Sequence, residues 1–318
     1  MTTQVIVWGL GKLGRLAVEA CAREPRLAPV AVVTRRPAQA GPLPPGIAVF
    51  DDLAGAAERF PDAVVVHTNH AVADELAHAL ENCANLGLDV VTSSGLFHPA
   101  TQLTDGGKAL DSAARSRGTR IATAGLQPGF VFDVLPALLL QMAPGWRRLT
   151  IVKPSDARSW PRENRHMQGI GESPADLERE TPYPLGASAH LIGEAVGRRV
   201  EHLHEARRAL TSEHDVRLDD ETIPAGLACG FRHECVAELE GGRQVTLVWE
   251  PTVAHAENLD LALRIVVDGD SWLRATVDGA FTADPYPGTV ARMLSVASAA
   301  RRLAPGLHRV IDVGLAWD

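Results

Sequence analysis

The sequence predicts an α/β protein: a doubly wound parallel sheet with helices on both faces, followed by an α+β part with a mostly antiparallel sheet. Three observations carry this. Residues 5–16 read Val-Ile-Val-Trp-Gly-Leu-Gly-Lys-Leu-Gly-Arg-Leu, an apolar strand, a glycine-rich turn and the start of a helical pattern. From there to residue 130, apolar runs alternate with helical patterns, the order that specifies parallel strands joined by crossover helices. After residue 130 the rhythm changes.

The first turn has the form Gly9-x-Gly11-x-x-Gly14, which in this context marks a Rossmann domain. Gly9 permits the tight turn, Gly11 lets backbone approach a pyrophosphate, and Gly14 lets helix and strand pack closely. The helix start then offers free N–H groups and the positive dipole end to the phosphates. Gly9, Leu10, Gly11, Lys12, Leu13 and Gly14 are therefore cofactor-binding candidates. The second strand runs through Val30–Val33 and ends in Thr34-Arg35-Arg36. An NAD site places Asp or Glu there for the ribose 2′-hydroxyl, about 20 residues past the glycines. Guanidinium groups instead suit a 2′-phosphate, so NADP(H) is expected over NAD(H) through Thr34, Arg35 and Arg36. The alternative is an ordinary solvated basic loop.

The remaining elements follow in order. Pro37–Gly46 is Pro/Gly-rich and reads as loop. Ala63–His67 and Asp89–Thr92 are short apolar runs, as strands buried on both faces require, and Arg120–Thr123 is a further strand. Residues 71–86 and 105–117 carry helical periodicity. In the second part, Phe132–Met142 reads as helix, Leu149–Pro154 as strand, and 155–186 as a long loop with short helical pieces. Residues 187–210 read as one amphipathic helix, with Leu191, Ile192, Ala195, Val196, Val200 and Leu203 on one side. Ala228–Leu239, Gln244–Trp249, Leu259–Val267 and Trp272–Val277 are strand-like runs of an antiparallel sheet, and 288–304 is a last helix ended by Ala304-Pro305-Gly306.

Composition narrows the function classes. The chain has 318 residues, which favours two domains, with 46% hydrophobic and 22% charged residues, ordinary for a globular protein. The net charge of −8 argues against a nucleic-acid partner. No apolar run matches a membrane span, and no secretory leader is seen, so a cytoplasmic location is expected. Cys21, Cys83, Cys229 and Cys235 form no CxxC pair and read as reduced thiols. His202-x-His204, read on a helix, points its rings apart, and no HExxH motif is present, so no metal is expected. Serine-hydrolase and P-loop signatures are also missing.

Ligands of open α/β sheets sit beyond the carboxyl ends of the strands. Three such ends are polar or glycine-rich: His67-Thr68-Asn69-His70, Thr92-Ser93-Ser94-Gly95-Leu96-Phe97-His98-Pro99, and Ala124-Gly125-Leu126-Gln127-Pro128-Gly129-Phe130. His67, Thr68, Asn69, Ser93, Ser94, Gly95, Gln127 and Pro128 are accordingly expected around the nicotinamide half.

The glycine fingerprint, the segments Ala124–Asp133 and Met167–Pro174, and Ala304-Pro305-Gly306 together resemble the dihydrodipicolinate-reductase-like oxidoreductases. Within them, the chain is most similar to the 2,4-diaminopentanoate dehydrogenase and native amine dehydrogenase branch. The resemblance implies a Rossmann domain over 1–130 and a substrate-binding and dimerisation domain over 131–284. It implies that the segment 285–318 packs back on the first domain and that the second sheet makes a homodimer. The implied reaction is reversible hydride transfer between NAD(P)H and an imine or ketone carbon, with ammonia as co-substrate toward the amine. The chain departs from the family where amine dehydrogenases carry an acidic pair: Ser93-Ser94-Gly95-Leu96 stands there instead. Gln127 replaces the family's Asn, and the reductases' His-His pair with its Lys motif is missing.

Hydride transfer to C=N or C=O needs a proton donor or an already protonated iminium. His98 and His70 at the strand tips are the candidates, since histidine titrates near neutral pH, with His255 a third. Phe130, Arg165, His166 and Glu172 are substrate-binding candidates. The sequence reading is thus an NADP(H)-dependent oxidoreductase acting on a small ketone, imine or amine. The alternatives are a carbonyl or imine reductase that does not use free ammonia, and a non-catalytic NADPH-sensing protein.

Overall fold

The computed structural model describes residues 2–71, 73–179, 181–182, 185–254 and 260–313. The chain divides into two units, one formed by Met1–Phe130 with Tyr286–Asp318 and the other by Val131–Pro285. In the first unit, the strands are β1 (Thr3–Trp8), β2 (Leu27–Val33), β3 (Ala48–Phe50), β4 (Val64–His67), β5 (Asp89–Thr92), β6 (Arg120–Thr123) and β15 (Gly306–His308). They form one sheet in the order β15-β6-β5-β4-β1-β2-β3, and every pairing is parallel. The order reverses between β1 and β4, the switch point beyond which such sheets bind ligands.

Side-chain alternation explains why the sheet is covered twice. Val5 and Val7 of β1 pack on one face with Ala17, Val18 and Cys21 of α1 (Lys12–Arg23) and with Val290, Met293, Val296 and Ala297 of α11 (Pro285–Ala299). Ile6 points to the other face. There it joins Leu53 and Ala56 of α2 (Leu53–Arg59), Leu76 and Leu80 of α3 (Ala73–Asn85), and Leu110 and Ala114 of α5 (Lys108–Arg117). A fully buried Val or Leu contributes about 1.5–3 kcal/mol each, so a two-faced core holds the sheet rigid beneath its loops. The C-terminal segment completes it: β15 pairs with β6, and Leu307 N–H donates to Asp111 Oδ1 at 2.9 Å. The Ala-Pro-Gly stop after α11 is therefore also the entry to a seventh strand.

The second unit is built on a six-stranded sheet in the order β14-β13-β7-β12-β11-β8. Its strands are β7 (Trp146–Asp156), β8 (Val200–Thr211), β11 (Ala228–Leu239), β12 (Arg243–Thr252), β13 (Leu263–Gly269) and β14 (Leu273–Val277). A small hairpin, β9 (Val216–Arg217) with β10 (Thr222–Ile223), stands apart. Helices α6 (Val134–Leu140), α7 (Arg162–Met167), α8 (Pro174–Arg179) and α9 (Gly186–Ala195) precede β8, and α10 (Ala280–Ala283) follows β14. The sheet is mixed rather than purely antiparallel, because β12 runs parallel to β7 while its other pairings are antiparallel.

One element differs in kind from the sequence reading. The helix expected over 187–210 ends at Ala195, and Val200 and Leu203 lie on strand β8. Gly197 takes φ 66° and the Arg198 N–H donates to Gly193 O at 2.8 Å, a left-handed stop that closes the helix. Residues 200–211 then pair antiparallel with β11, and this tertiary pairing overrides the apparent 3.6-residue period. His202 and His204 consequently share one face of a strand, contrary to the helical argument. Among the described residues no group of three or more metal-ligating side chains forms, with these histidines or elsewhere.

Candidate functional site

The turn between β1 and α1 shows what each glycine is for. Gly9 has φ 109°, and a Cβ there would lie 2.4 Å from Asn69 Oδ1. A Cβ on Gly14 would lie 1.9 Å from the Gly9 carbonyl oxygen, so only glycine lets α1 approach β1 this closely. Gly11 is different: among the described residues nothing lies within 4 Å of its Cβ position. It caps α1 with no side-chain hydrogen bond, leaving the first amides of the helix open to an anion. Lys12 is exposed and lies 4.3 Å from the Tyr286 ring centre; Leu10 and Leu13 are half-buried.

The strand tips beside this turn are tied to one another. Thr68 Oγ1 donates to Gly9 O at 2.9 Å. His67 Nδ1 lies 3.0 Å from Thr92 Oγ1, and its ring meets Trp8 edge-on at 5.0 Å. Ser94 Oγ donates to Asn69 O at 2.6 Å, and the Gln102 amide donates to Gly95 O. Burial pushes His67 down to about 4, so its ring is neutral near pH 7 and acts as a polar contact rather than an acid. Ser93 is half-buried and His70 is exposed.

His98 is 3% exposed and precedes α4 (Pro99–Gln102). Its backbone N–H donates to Gln102 Oε1 at 2.7 Å, and its Nδ1 lies 2.8 Å from Thr101 Oγ1. No Asp or Glu occurs in residues 93–99. At the third tip, Gln127 and Pro128 join through a cis bond, and Gly129 folds back so that a Cβ there would meet Gly125 N at 2.6 Å. Two buried polar atoms at this tip, Gln127 Nε2 and Thr123 Oγ1, have no hydrogen-bond partner among the described residues. Unsatisfied buried polar groups of this kind are uncommon in folded proteins.

Arg35 and Arg36 follow β2 and are both exposed; among the described residues neither forms a salt bridge. Thr34 is half-buried, and its Oγ1 accepts the Arg36 N–H at 3.4 Å. The glycine turn, the open amides of α1, the acid-free guanidinium pair and the orphan donors at the third tip fit a dinucleotide. All belong to the first unit.

In the second unit the sequence candidates have other partners. Arg165 lies on α7 rather than in a loop, with a side chain 1% exposed. Its Nε donates to Glu221 Oε1 at 2.8 Å, its Nη2 to Asp220 at 2.6 Å and its Nη1 to Trp160 O at 2.5 Å. His166 Nε2 lies 2.7 Å from Glu221 Oε2, and Arg162 approaches the same carboxylate at 3.3 Å. The hydrogen bond from Arg165 holds Asp220 below the usual carboxylate range. Burial pushes Glu221 up, but hydrogen bonds from His166 and Arg165 outweigh it and hold the group low. This network ties α7 to the loop of the small hairpin. Glu172 is exposed, Phe130 (in the first unit) lies 5.8 Å from the Arg292 guanidinium, and His255 lies outside the described residues.

Lys153 was not singled out in the sequence. It is buried on β7, and its signal was a lone lysine in the run Leu-Thr-Ile-Val-Lys-Pro, at the alternation shared with Leu149 and Ile151. The four cysteines are all buried and free. Among the described residues no helix is long and apolar enough to cross a membrane.

No protein-family model matches the chain. Along its sequence it is similar to an amine dehydrogenase of Streptomyces virginiae, with 24% identity covering 98% of this chain and 96% of that one. In structure it is similar to the amine dehydrogenase of Mycobacterium smegmatis, with TM-score 0.87 and 18% identity covering 98% and 96% of the two chains. It also resembles GenD2 from gentamicin A biosynthesis, solved in complex with NAD, with TM-score 0.63 and 16% identity over 99% and 91%. The chain is thus similar to amine dehydrogenases in sequence along nearly its whole length and in fold.

Proposed function

We propose that this protein is an NADP(H)-dependent oxidoreductase that transfers hydride to or from the C=N or C=O carbon of a small imine, ketone or amine. The observation that carries the reading is the β1–α1 turn: two glycines packed where no Cβ fits, and Gly11 open above uncapped helix amides. The likeness to amine dehydrogenases supports the reaction class.

The chain's own residues have defined tasks in this reading. Gly11 and the first amides of α1 hold the pyrophosphate, and Arg35 and Arg36 grip a 2′-phosphate. A bound nicotinamide supplies the hydride. Gln127 and Thr123 offer their orphan donors to the nicotinamide half, while neutral His67 and the Thr68 and Ser94 ties keep the tips in place. His70, exposed at the β4 tip, is positioned to exchange a proton with solvent. His98, held by Thr101 and Gln102, is the second proton-relay candidate. In the second unit, Arg165 is an internal tie rather than a substrate contact. The outer face of the six-stranded sheet presents half-buried Val152, Val236 and Val266, which suits a second copy of the chain.

A reductase that does not use free ammonia is the second reading, favoured by the absence of a carboxylate in residues 93–99. The test is NADPH oxidation with a small ketone, with and without ammonia, and identification of the product. Amine formation supports the first reading and alcohol formation the second. Tight NADPH binding without turnover of any ketone, imine or amine contradicts both.

A further inference from the structure

The chain carries three lysines among its 31 basic residues. Lys12 and Lys108 are exposed, whereas Lys153, on β7, is 1% exposed. The other buried Lys or Arg side chains among the described residues are both arginines, Arg165 and Arg207. A guanidinium keeps its proton at any working pH, but an ammonium gives its proton up when desolvated and becomes a nucleophile. Lysine at this one position thus supplies chemistry that the buried arginines cannot.

The surroundings favour the neutral amine. Lys153 Nζ donates to Ser155 Oγ at 3.0 Å and lies 3.4 Å from Pro154 O; both are neutral, and among the described residues no carboxylate pairs with it. Desolvation lowers Lys153 from its ordinary 10.5 to about 8. Roughly a tenth of the amine is then unprotonated at pH 7, against less than about a thousandth for an exposed lysine. The strand register sets Lys153 beside Trp249 on β12, whose indole N–H donates to the same Ser155 oxygen at 3.1 Å. Phe231 meets Trp249 edge-on at 5.3 Å, and Trp160 lies against it with ring centres 5.6 Å apart. The buried indole N–H of Trp160 has no acceptor among the described residues. An aromatic wall with a spare donor suits an uncharged carbonyl compound, its carbon chain against the rings and its oxygen a hydrogen-bond acceptor.

We propose that Lys153 is a nucleophilic amine that captures the carbonyl carbon of a small aldehyde or ketone as an imine. The unprotonated Nζ bonds to the carbonyl carbon while the C=O π pair moves to oxygen. A proton passes from nitrogen to that oxygen, giving a carbinolamine. A second proton, taken up from solvent through the Ser155 hydroxyl, lets the oxygen leave as water and leaves an iminium on Nζ. Nothing is oxidised or reduced in this condensation. For its place in turnover the capture rests on the oxidoreductase reading: ammonia displaces Nζ from the iminium carbon, and the released iminium is the species that accepts hydride. Activation of this kind asks for no carboxylate in residues 93–99.

Reductive trapping tests the capture on the full-length protein. Wild type is incubated with 2-pentanone and sodium cyanoborohydride over about pH 6 to 9, and alkylated lysines are located by peptide mass mapping, with Lys12 and Lys108 as internal references. Lys153 is alkylated at least about tenfold faster than either at pH 7, from its larger unprotonated fraction. Its rate levels off above its value of about 8, while those of the exposed lysines keep rising. The fast adduct is missing from the intact mass of Lys153→Arg; should that variant fail to fold by circular dichroism, the wild-type map decides alone. Equal labelling of the three lysines, or no labelling of Lys153, overturns the proposal. NADPH oxidation with 2-pentanone and ammonia separates the two claims. Preferential trapping at Lys153 without turnover sinks the oxidoreductase reading and leaves the imine site. Turnover without preferential trapping sinks the imine site and leaves the reading.

Discussion

Arg165 and Lys153 lie in the same unit, and each side chain is 1% exposed, yet their surroundings are opposite. Arg165 meets two carboxylates and a backbone carbonyl, whereas Lys153 meets a hydroxyl and a carbonyl. The difference is between a compensated and an uncompensated buried charge. A buried cation with in-house acids is spent on holding α7 to the hairpin loop. Lys153 carries its charge without an acid beside it among the described residues. Arg35 and Arg36 are an exposed version of the second kind, beside a turn shaped for phosphates.

The sharpest way to break this contrast is to remove Arg165. Arg165→Met leaves Glu221, 7% exposed, with only His166 and Arg162, and should cost about 3 kcal/mol of stability, as loss of one member of a buried pair does. Chemical denaturation of wild type and variant measures it; a loss near zero would make Arg165 available for ligands after all. The acid side sharpens the same point. Asp220 and Glu221 titrate below their ordinary 3.8 and 4.5, so their contribution is present above those values. It is lost as pH falls through the lowered folded values. Wild type should therefore lose stability in acid more steeply than Arg165→Met.

Next in size is the exposed pair. Arg35→Ala with Arg36→Ala should raise the Kd for NADPH by roughly tenfold to a hundredfold, and that for NADH much less, on the scale of charge-assisted hydrogen bonds. Equal effects on both nucleotides would return these arginines to the status of a solvated loop. Smallest is Lys153→Met, which should leave stability at pH 7 unchanged or raise it by about 1 kcal/mol, since an apolar group replaces an uncompensated charge. The pH dependence has a definite sign. Folding lowers Lys153 from its ordinary 10.5 to about 8, so between these values the unfolded chain holds the extra proton. Stability should thus rise with pH across that window in wild type, and the rise should shrink in Lys153→Met. A loss of several kcal/mol in this variant would place Lys153 with Arg165.

What the sequence revealed follows the same division. The nucleotide cradle was legible because its requirements are steric and local: Gly9, Gly11 and Gly14 sit in one turn, and the apolar runs ending at His67, Thr92 and Thr123 are strands in any context. The second unit was less legible because its partners are distant in sequence. Arg165 reads as a loop cation until Asp220 and Glu221 are folded against it. Residues 200–203 extend a helical period until Gly197 stops the helix and β11 offers a pairing edge. Lys153 sits in an apolar strand, where only its strand register distinguishes a buried lysine from a snorkelling one. The missing acid at residues 93–99 was visible from sequence, and the structure leaves that stretch without a carboxylate of its own.

In the proposed function a phosphorylated dinucleotide lies over Gly11 at the start of α1 and is held by Arg35 and Arg36. Calorimetric titration of the full-length protein with NADPH and with NADH tests it most directly. Saturable binding of both is expected, tighter for NADPH. Binding of neither nucleotide to folded protein would contradict it.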